Sequence, residues 1–182
     1  MTTDSLNQLI AELRIRPELF DDSAHKTDDM IDRLEEAQHR GYLNRAELIA
    51  VCKEKSSRRA NEAKRNSEQD VSLVTETAFK IKSERIRISL LTSLHGVGVP
   101  TASAILAWTY PDRWGVIDRR AWSTLINFGV VKKCRNGVGL RAEEWEQYCV
   151  VLATIAAAFG IRPQHADKLL YGYDKARKQG SE

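Results

Sequence analysis

Residues 84–108 read ERIRISLLTSLHGVGVPTASAILAW. Ser83 begins a helical pattern that places Ile86, Leu90, Leu91 and Leu94 on one face. A second pattern follows the glycines, with Ala102, Ile105 and Leu106 at helical spacing. Between them stands Gly96-Val97-Gly98. Neither glycine has a Cβ, so the turn can take tight backbone angles and lie close to a ligand. The second helix should begin near Pro100 or Thr101, where a proline loses no hydrogen bond. The first N–H groups of a helix lack internal partners, and the dipole there favours negative charge. The turn is thus either a plain corner between two core helices or an uncharged cradle for a phosphate. Val97 can tuck back between the helices and fix it.

The same period runs through the rest of the chain. Leu6, Leu9, Ile10 and Leu13 mark a first helix. Thr27 is a candidate N-cap for a helix carrying Met30, Ile31, Leu34 and Ala37, stopped by Gly41. Asn44 to about Glu54 gives another, with Leu48, Ile49 and Cys52 inward. Ser67 to Asp70 resembles a capping box before Val71, Val74 and Ala78. After Tyr110-Pro111-Asp112, a helix over 118–128 presents Ala121, Leu125, Ile126 and Phe128 inward. Residues 129–140 form a Gly-containing basic connector, either a loop or a short hairpin. Ala142 to Phe159 is a long apolar helix ended by Gly160, and Pro163 opens a last one with Ala166, Leu169 and Leu170 inward. The polar tail 175–182 is expected to fray. With no repeat and no linker, the pattern predicts one all-α domain over 1–182.

The 182 residues, 42% hydrophobic and 29% charged, suit a single soluble domain. No apolar run has the length of a membrane span, and the first residues lack a signal-peptide pattern, so the expected location is the cytoplasm, nucleoid-associated if the source is bacterial. Cys52, Cys134 and Cys149 are too scattered for a disulfide framework or a zinc or iron–sulfur site. No metal or other cofactor is expected, apart from a monovalent cation at the hairpin. The net charge of +3 is unevenly spread, with −5 over residues 1–50 and +4 over residues 51–100. That asymmetry permits a polyanion-facing side.

Asp118 lies twenty residues after Gly98. It ends a Gly-Val-Ile run and opens a helix, where a carboxylate caps free N–H groups. Arg119 and Arg120 beside it favour its ionised form. Taken together, Gly96-Val97-Gly98, Thr101-Ala102, Ile105-Leu106, a proline, and Val116-Ile117-Asp118 before a helix resemble the helix-hairpin-helix (HhH-GPD) superfamily of DNA glycosylases. That group includes the endonuclease III, adenine glycosylase and 8-oxoguanine glycosylase types. The match covers residues 84–128, with the hairpin over 84–108.

The resemblance implies two helical subdomains around a DNA-binding hairpin. Its backbone contacts would come from Gly96, Val97, Gly98, Val99 and Thr101. A damaged or modified base would be flipped from duplex DNA into a pocket. Asp118 would stabilise the positive charge that develops on the sugar, or direct a water to it. Three features depart from the pattern. Pro100 stands where bifunctional members carry their lysine, which excludes lysine-based lyase chemistry at that position and leaves a monofunctional glycosylase, without lysine-dependent lyase activity, as the implied enzyme. Arg119-Arg120 replaces the usual residues after the aspartate. No C-terminal four-cysteine cluster is present.

Residues 53–66 hold six basic residues against two acidic ones. Lys53, Lys55, Arg58 and Arg59, with Arg119 and Arg120, are candidate phosphate contacts, although a solvated helix face explains such a run equally well. Lys132, Lys133 and Arg135 form a smaller cluster. Trp108, Tyr110, Trp114 and Trp122 crowd the hairpin's exit, where aromatics mostly pack. Trp114 is the candidate wedge or base-stacking residue. Two other possibilities stay open: a non-catalytic hairpin protein that binds DNA in repair or defence complexes, and a helical interaction domain whose turn is purely architectural.

Overall fold

The computed structural model describes residues 3–21, 27–132 and 139–179, and its regular elements are all α-helices. In chain order they are α1 (Thr3–Arg14), α2 (Glu18–Asp21), α3 (Thr27–Arg33), α4 (Glu35–Arg40), α5 (Arg45–Lys55), α6 (Ser57–Ala63), α7 (Glu68–Lys80), α8 (Glu84–Leu91), α9 (Val99–Thr109), α10 (Arg119–Asn127), α11 (Ala142–Phe159) and α12 (Pro163–Gln179). The all-α class read from the periodicity is the class observed.

Local chemistry sets the helix starts. The Asn44 side chain accepts the Glu47 N–H at 2.8 Å, and Glu47 accepts the Asn44 N–H at 2.7 Å, a complete capping box before α5. Ser67 accepts the Asp70 N–H at 3.0 Å and donates its hydroxyl to the Asp70 carboxylate at 2.6 Å. The long helix α11 stops at Gly160, as expected.

Four local expectations need correction. The helix expected from Thr27 to Gly41 breaks at Leu34, which leaves helical angles at φ −101° and ψ 5°. The bend keeps Met30, Leu34 and Ala37 all buried. Thr27 is the first residue of α3 rather than its cap. On α8, Ile86 is 57% exposed and Arg87 takes the inward place at 1%. The buried guanidinium survives because Ala78 O, Ile81 O and the Glu84 carboxylate all accept from it. Finally, α12 runs on to Gln179 instead of fraying from Lys175. Its buried Asp174 holds the last turns through Lys178 at 2.7 Å and Arg177 at 3.4 Å.

The centre of the core is α11, which packs on α1, α8, α9 and α12. Trp145 and Tyr148 are its largest buried residues. One carboxylate joins three parts of the body: Glu84 Oε2 accepts from Trp114 Nε1–H at 3.1 Å and Trp145 Nε1–H at 3.2 Å, while Cys149 Sγ–H lies 3.8 Å away. The basic stretch 53–66 is no linker. It is the end of α5, a sharp corner at Ser56, and α6.

Candidate functional site

The turn between α8 and α9 is held from one side and open on the other. Gly96 has φ +82°, a left-handed conformation. A Cβ there would lie 2.5 Å from Arg59 O and 2.8 Å from Ala63 N, so the backbone of α6 lies directly against it. Asn66 completes the clamp. Its carbonyl accepts the His95 N–H at 2.9 Å, and its amide donates to His95 O at 3.0 Å and Ala63 O at 2.9 Å. Val97 is buried, as expected. The side chains of Val99 and Thr101 are buried too, so they anchor α9, and only backbone there can meet a ligand.

Gly98 is the half-exposed N-cap of α9, with φ −99°. A Cβ on it would meet little more than Arg59 Nη2, at 3.8 Å. The open side of the turn is therefore Gly98 with a guanidinium beside it. The helix starts at Val99, slightly before the expected Pro100 or Thr101. The Thr101 and Ala102 N–H groups both bond Gly98 O, which leaves Val99 as the helix-start donor without an intrahelical partner. A monovalent cation at the hairpin would need its carbonyls. Leu94 O and His95 O already accept from Val97 and Asn66, and the Cys52 thiol sits 4.0 Å from Gly96 O.

Asp118 is tied to this hairpin through the extended run before it. Gly115 packs so closely that a Cβ would lie 2.7 Å from Asp167 Cβ and 2.9 Å from Pro163 O. The Val116 N–H donates to Asp167 Oδ2 at 3.0 Å. The Ile117 N–H donates to Ser103 Oγ on α9 at 3.1 Å, and that hydroxyl donates to Pro100 O at 3.0 Å. Asp118 then caps α10: its Oδ1 accepts the N–H groups of Arg120 and Ala121, both at 2.8 Å. Oδ2 has no hydrogen bond among the described residues. The hairpin's own second helix thus fixes the residue before the aspartate.

Two groups join Asp118 that the sequence did not place there. Asp167, on α12, is 7% exposed. Burial, and then the nearby charge of Asp118, push its carboxyl up to about 7, although Val116 N–H and Tyr148 O–H both donate to it. Tyr148 donates at 2.9 Å, and burial raises its own hydroxyl well above the ordinary range. The other newcomer is Lys55. Expected as a phosphate contact, it turns inward instead, half-buried with Nζ 5.6 Å from the Trp108 ring centroid. Burial lowers its ammonium below the usual lysine value, against the opposing pull of Asp118 and Asp167.

The remaining candidates divide. Lys53, Arg58 and Arg119 are exposed, and Arg59 is half-buried and paired with Glu62 at 3.1 Å. Arg120 lies over the exposed ring of Tyr171, 5.3 Å from its centroid. Trp114 needs correction as a wedge. It is 3% exposed, its N–H is spent on Glu84, and its ring is covered by Arg113 at 4.2 Å and Arg87 at 4.7 Å. Lys132 is exposed, while Lys133, Cys134 and Arg135 lie outside the described residues. A cavity of about 360 Å³ at the end of α7 is lined by Glu76, Thr77, Lys80 and Ile81, none of them a candidate residue. Among the described residues, no His/Cys/Asp/Glu group is arranged to hold a metal ion, and no single helix is long and apolar enough to cross a membrane. No protein-family model, curated protein or solved structure matches the chain.

Proposed function

We propose that the protein binds double-stranded DNA and hydrolyses the N-glycosidic bond of a damaged or modified base. The observation that carries this is Asp118, with one carboxylate oxygen spent on the α10 cap and the other unengaged among the described residues, fixed to the hairpin helix through Ile117 and Ser103. The Gly98 side of the turn and Arg59 would hold a phosphate. Breaking the glycosidic bond puts positive charge on the sugar, and Asp118 Oδ2 is the oxygen available to stabilise it or to orient the attacking water. Asp167 supports the site by holding Val116 in place.

Duplexes with a panel of modified bases, treated with hot alkali after incubation, would reveal base release as strand breaks. Asp118→Asn keeps the cap, so it should fold and bind DNA while losing ~10²-fold or more in rate. Unchanged release would remove Asp118 from the chemistry. A non-catalytic DNA-binding role is the alternative. It is favoured by the double capping bond of Asp118 Oδ1, which gives the residue a structural use without any reaction. If no base is released but Gly98→Glu abolishes binding, that alternative stands.

A further inference from the structure

Helices α10 and α12 pack on each other, and the strip where they meet carries one sign of charge. Arg119 is exposed and Arg120 half-buried at the start of α10, a helix with no acidic residue. On α12, Lys168 is half-buried and Lys175 exposed, one turn to either side of Tyr171. The two acids of α12 are both withdrawn. Asp167 is buried on Tyr148 and Val116, and Asp174 is buried on Lys178 and Arg177. Neither helix therefore presents an acid to solvent. Amid these cations stands a ring that core packing does not account for: Tyr171 is 39% exposed, whereas Leu169, Leu170 and Gly172 around it are buried. The ring is nonetheless held in place. Thr124 Oγ1–H donates to Leu170 O at 2.8 Å, which sets the register of α10 on α12. One turn before Thr124, Arg120 lays its guanidinium 5.3 Å from the Tyr171 ring centroid. Asp118, two residues earlier still, caps the same helix. A cation over one face orients a ring and leaves its remaining surface to a planar partner. A lipid-facing or protein-docking patch would instead gather several large apolar side chains. The other exposed ones, Ile15, Leu73, Ile86 and Val150, all lie outside α10 and α12.

We propose that the α10–α12 strip binds single-stranded DNA, with a base stacked on Tyr171 and the adjoining phosphates met by Arg119 and Arg120. Lys168 and Lys175 continue the positive potential along α12. A basic track with an exposed aromatic ring suits a single strand because every base has a π-face, so the contact tolerates any sequence. A duplex keeps its bases stacked on one another and offers this strip its phosphates alone. The ring therefore adds affinity for a single strand that an intact duplex cannot use. The choice of DNA as the strand rests on the DNA-binding function proposed above; the basic strip and its ring do not.

The test titrates the full chain into fluorescein-labelled oligothymidylate and into a labelled duplex of equal length, read by anisotropy. Tyr171→Leu removes the ring at an exposed position where folding does not depend on it, and Tyr171→Phe keeps the ring. Tyr171→Leu should weaken single-strand binding ~10-fold and duplex binding less than ~2-fold, and Tyr171→Phe should stay within ~2-fold of wild type on both. A strand carrying 2-aminopurine should lose fluorescence on wild type and on Tyr171→Phe, and keep it on Tyr171→Leu. Equal single-strand affinity in wild type and Tyr171→Leu would overturn the proposal, as would an equal loss on strand and duplex. Tighter binding of oligouridylate than of oligothymidylate would assign the strip to RNA. Displacement of the strand by anionic phospholipid vesicles, with the same dependence on Tyr171, would assign it to lipid. Either result overturns the proposal. Wild type that binds the single strand and no duplex leaves this inference standing and fails the function proposed above. Binding of the duplex alone fails this inference and leaves that function, and binding of neither overturns both.

Discussion

Asp167 shows what a single buried carboxyl does to both stability and site. Two donors hold it, Tyr148 at 2.9 Å and Val116 at 3.0 Å, yet burial and Asp118 keep its carboxyl near 7. In the unfolded chain the same group ionises around its ordinary value of 3.8. Between those values the folded state binds the extra proton, so the group's contribution to stability is fully present below about 4 and is lost as pH rises towards about 7. Asp167→Asn removes the titration but keeps an acceptor and a donor for its two neighbours. Thermal melts from pH 4 to 8 should show wild type losing melting temperature relative to the variant across that window, with parallel behaviour above it. Parallel profiles throughout would mean that the Asp167 carboxyl titrates alike in the folded and the unfolded chain. Asp167 holds Val116 while Ser103 holds Ile117, so the loop that ends in Asp118 rests on both α12 and α9.

The hairpin's two glycines are alike in sequence and unlike in structure. Gly96 sits at φ +82° with the α6 backbone 2.5 Å from where a Cβ would be, whereas Gly98 has an ordinary φ of −99° and open space. Gly96→Ala should therefore cost about 2–4 kcal/mol, combining ~1–2 kcal/mol for the left-handed angle with the forced backbone shift. Gly98→Ala should stay within ~0.5 kcal/mol of wild type. Urea midpoints of the two variants check this, and equal midpoints would contradict the clamp. A bare Gly-x-Gly pattern could not separate the two positions, because the difference comes from α6, thirty-odd residues earlier. The same division runs through the whole chain. The caps at Ser67 and Asp118 were legible because they involve residues three apart or fewer. The exposure of Ile86, the burial of Arg87 and Trp114, and the inward turn of Lys55 were not, because each is fixed by a distant partner such as Ala78, Glu84 or Trp108. Asp167 left a faint signal, an acid beside Ala166 and Leu170 on the inward face of the amphipathic last helix. Only the fold shows that it faces Val116.

At the level of the whole molecule, the exposed charge and the site belong to one construction. Helix α8 leads into the hairpin, and its Glu84 holds Trp114 and Trp145, so the helix before the turn, the segment before Asp118 and the core helix α11 are tied through one carboxylate. Lys53 and Arg58 stand on the solvent side of α5 and α6, the two helices that supply Lys55 to the interior and the clamp to Gly96. In the DNA-binding function proposed above, these basic residues would meet the polyanion whose phosphate Gly98 and Arg59 hold. Such binding releases counterions, so affinity should fall steeply with salt whatever the base sequence. Lys53→Gln with Arg58→Gln should weaken binding to matched and unrelated duplexes alike. The plot of log affinity against log salt should flatten by ~1 for each phosphate that is no longer neutralised. Asp118→Asn, which removes a negative charge from the site, should leave that slope unaltered. Titrations at several salt concentrations by fluorescence anisotropy separate the two effects. An unchanged slope in the Lys53/Arg58 variant would place the DNA on another face and would count against the phosphate contact proposed for Gly98 and Arg59.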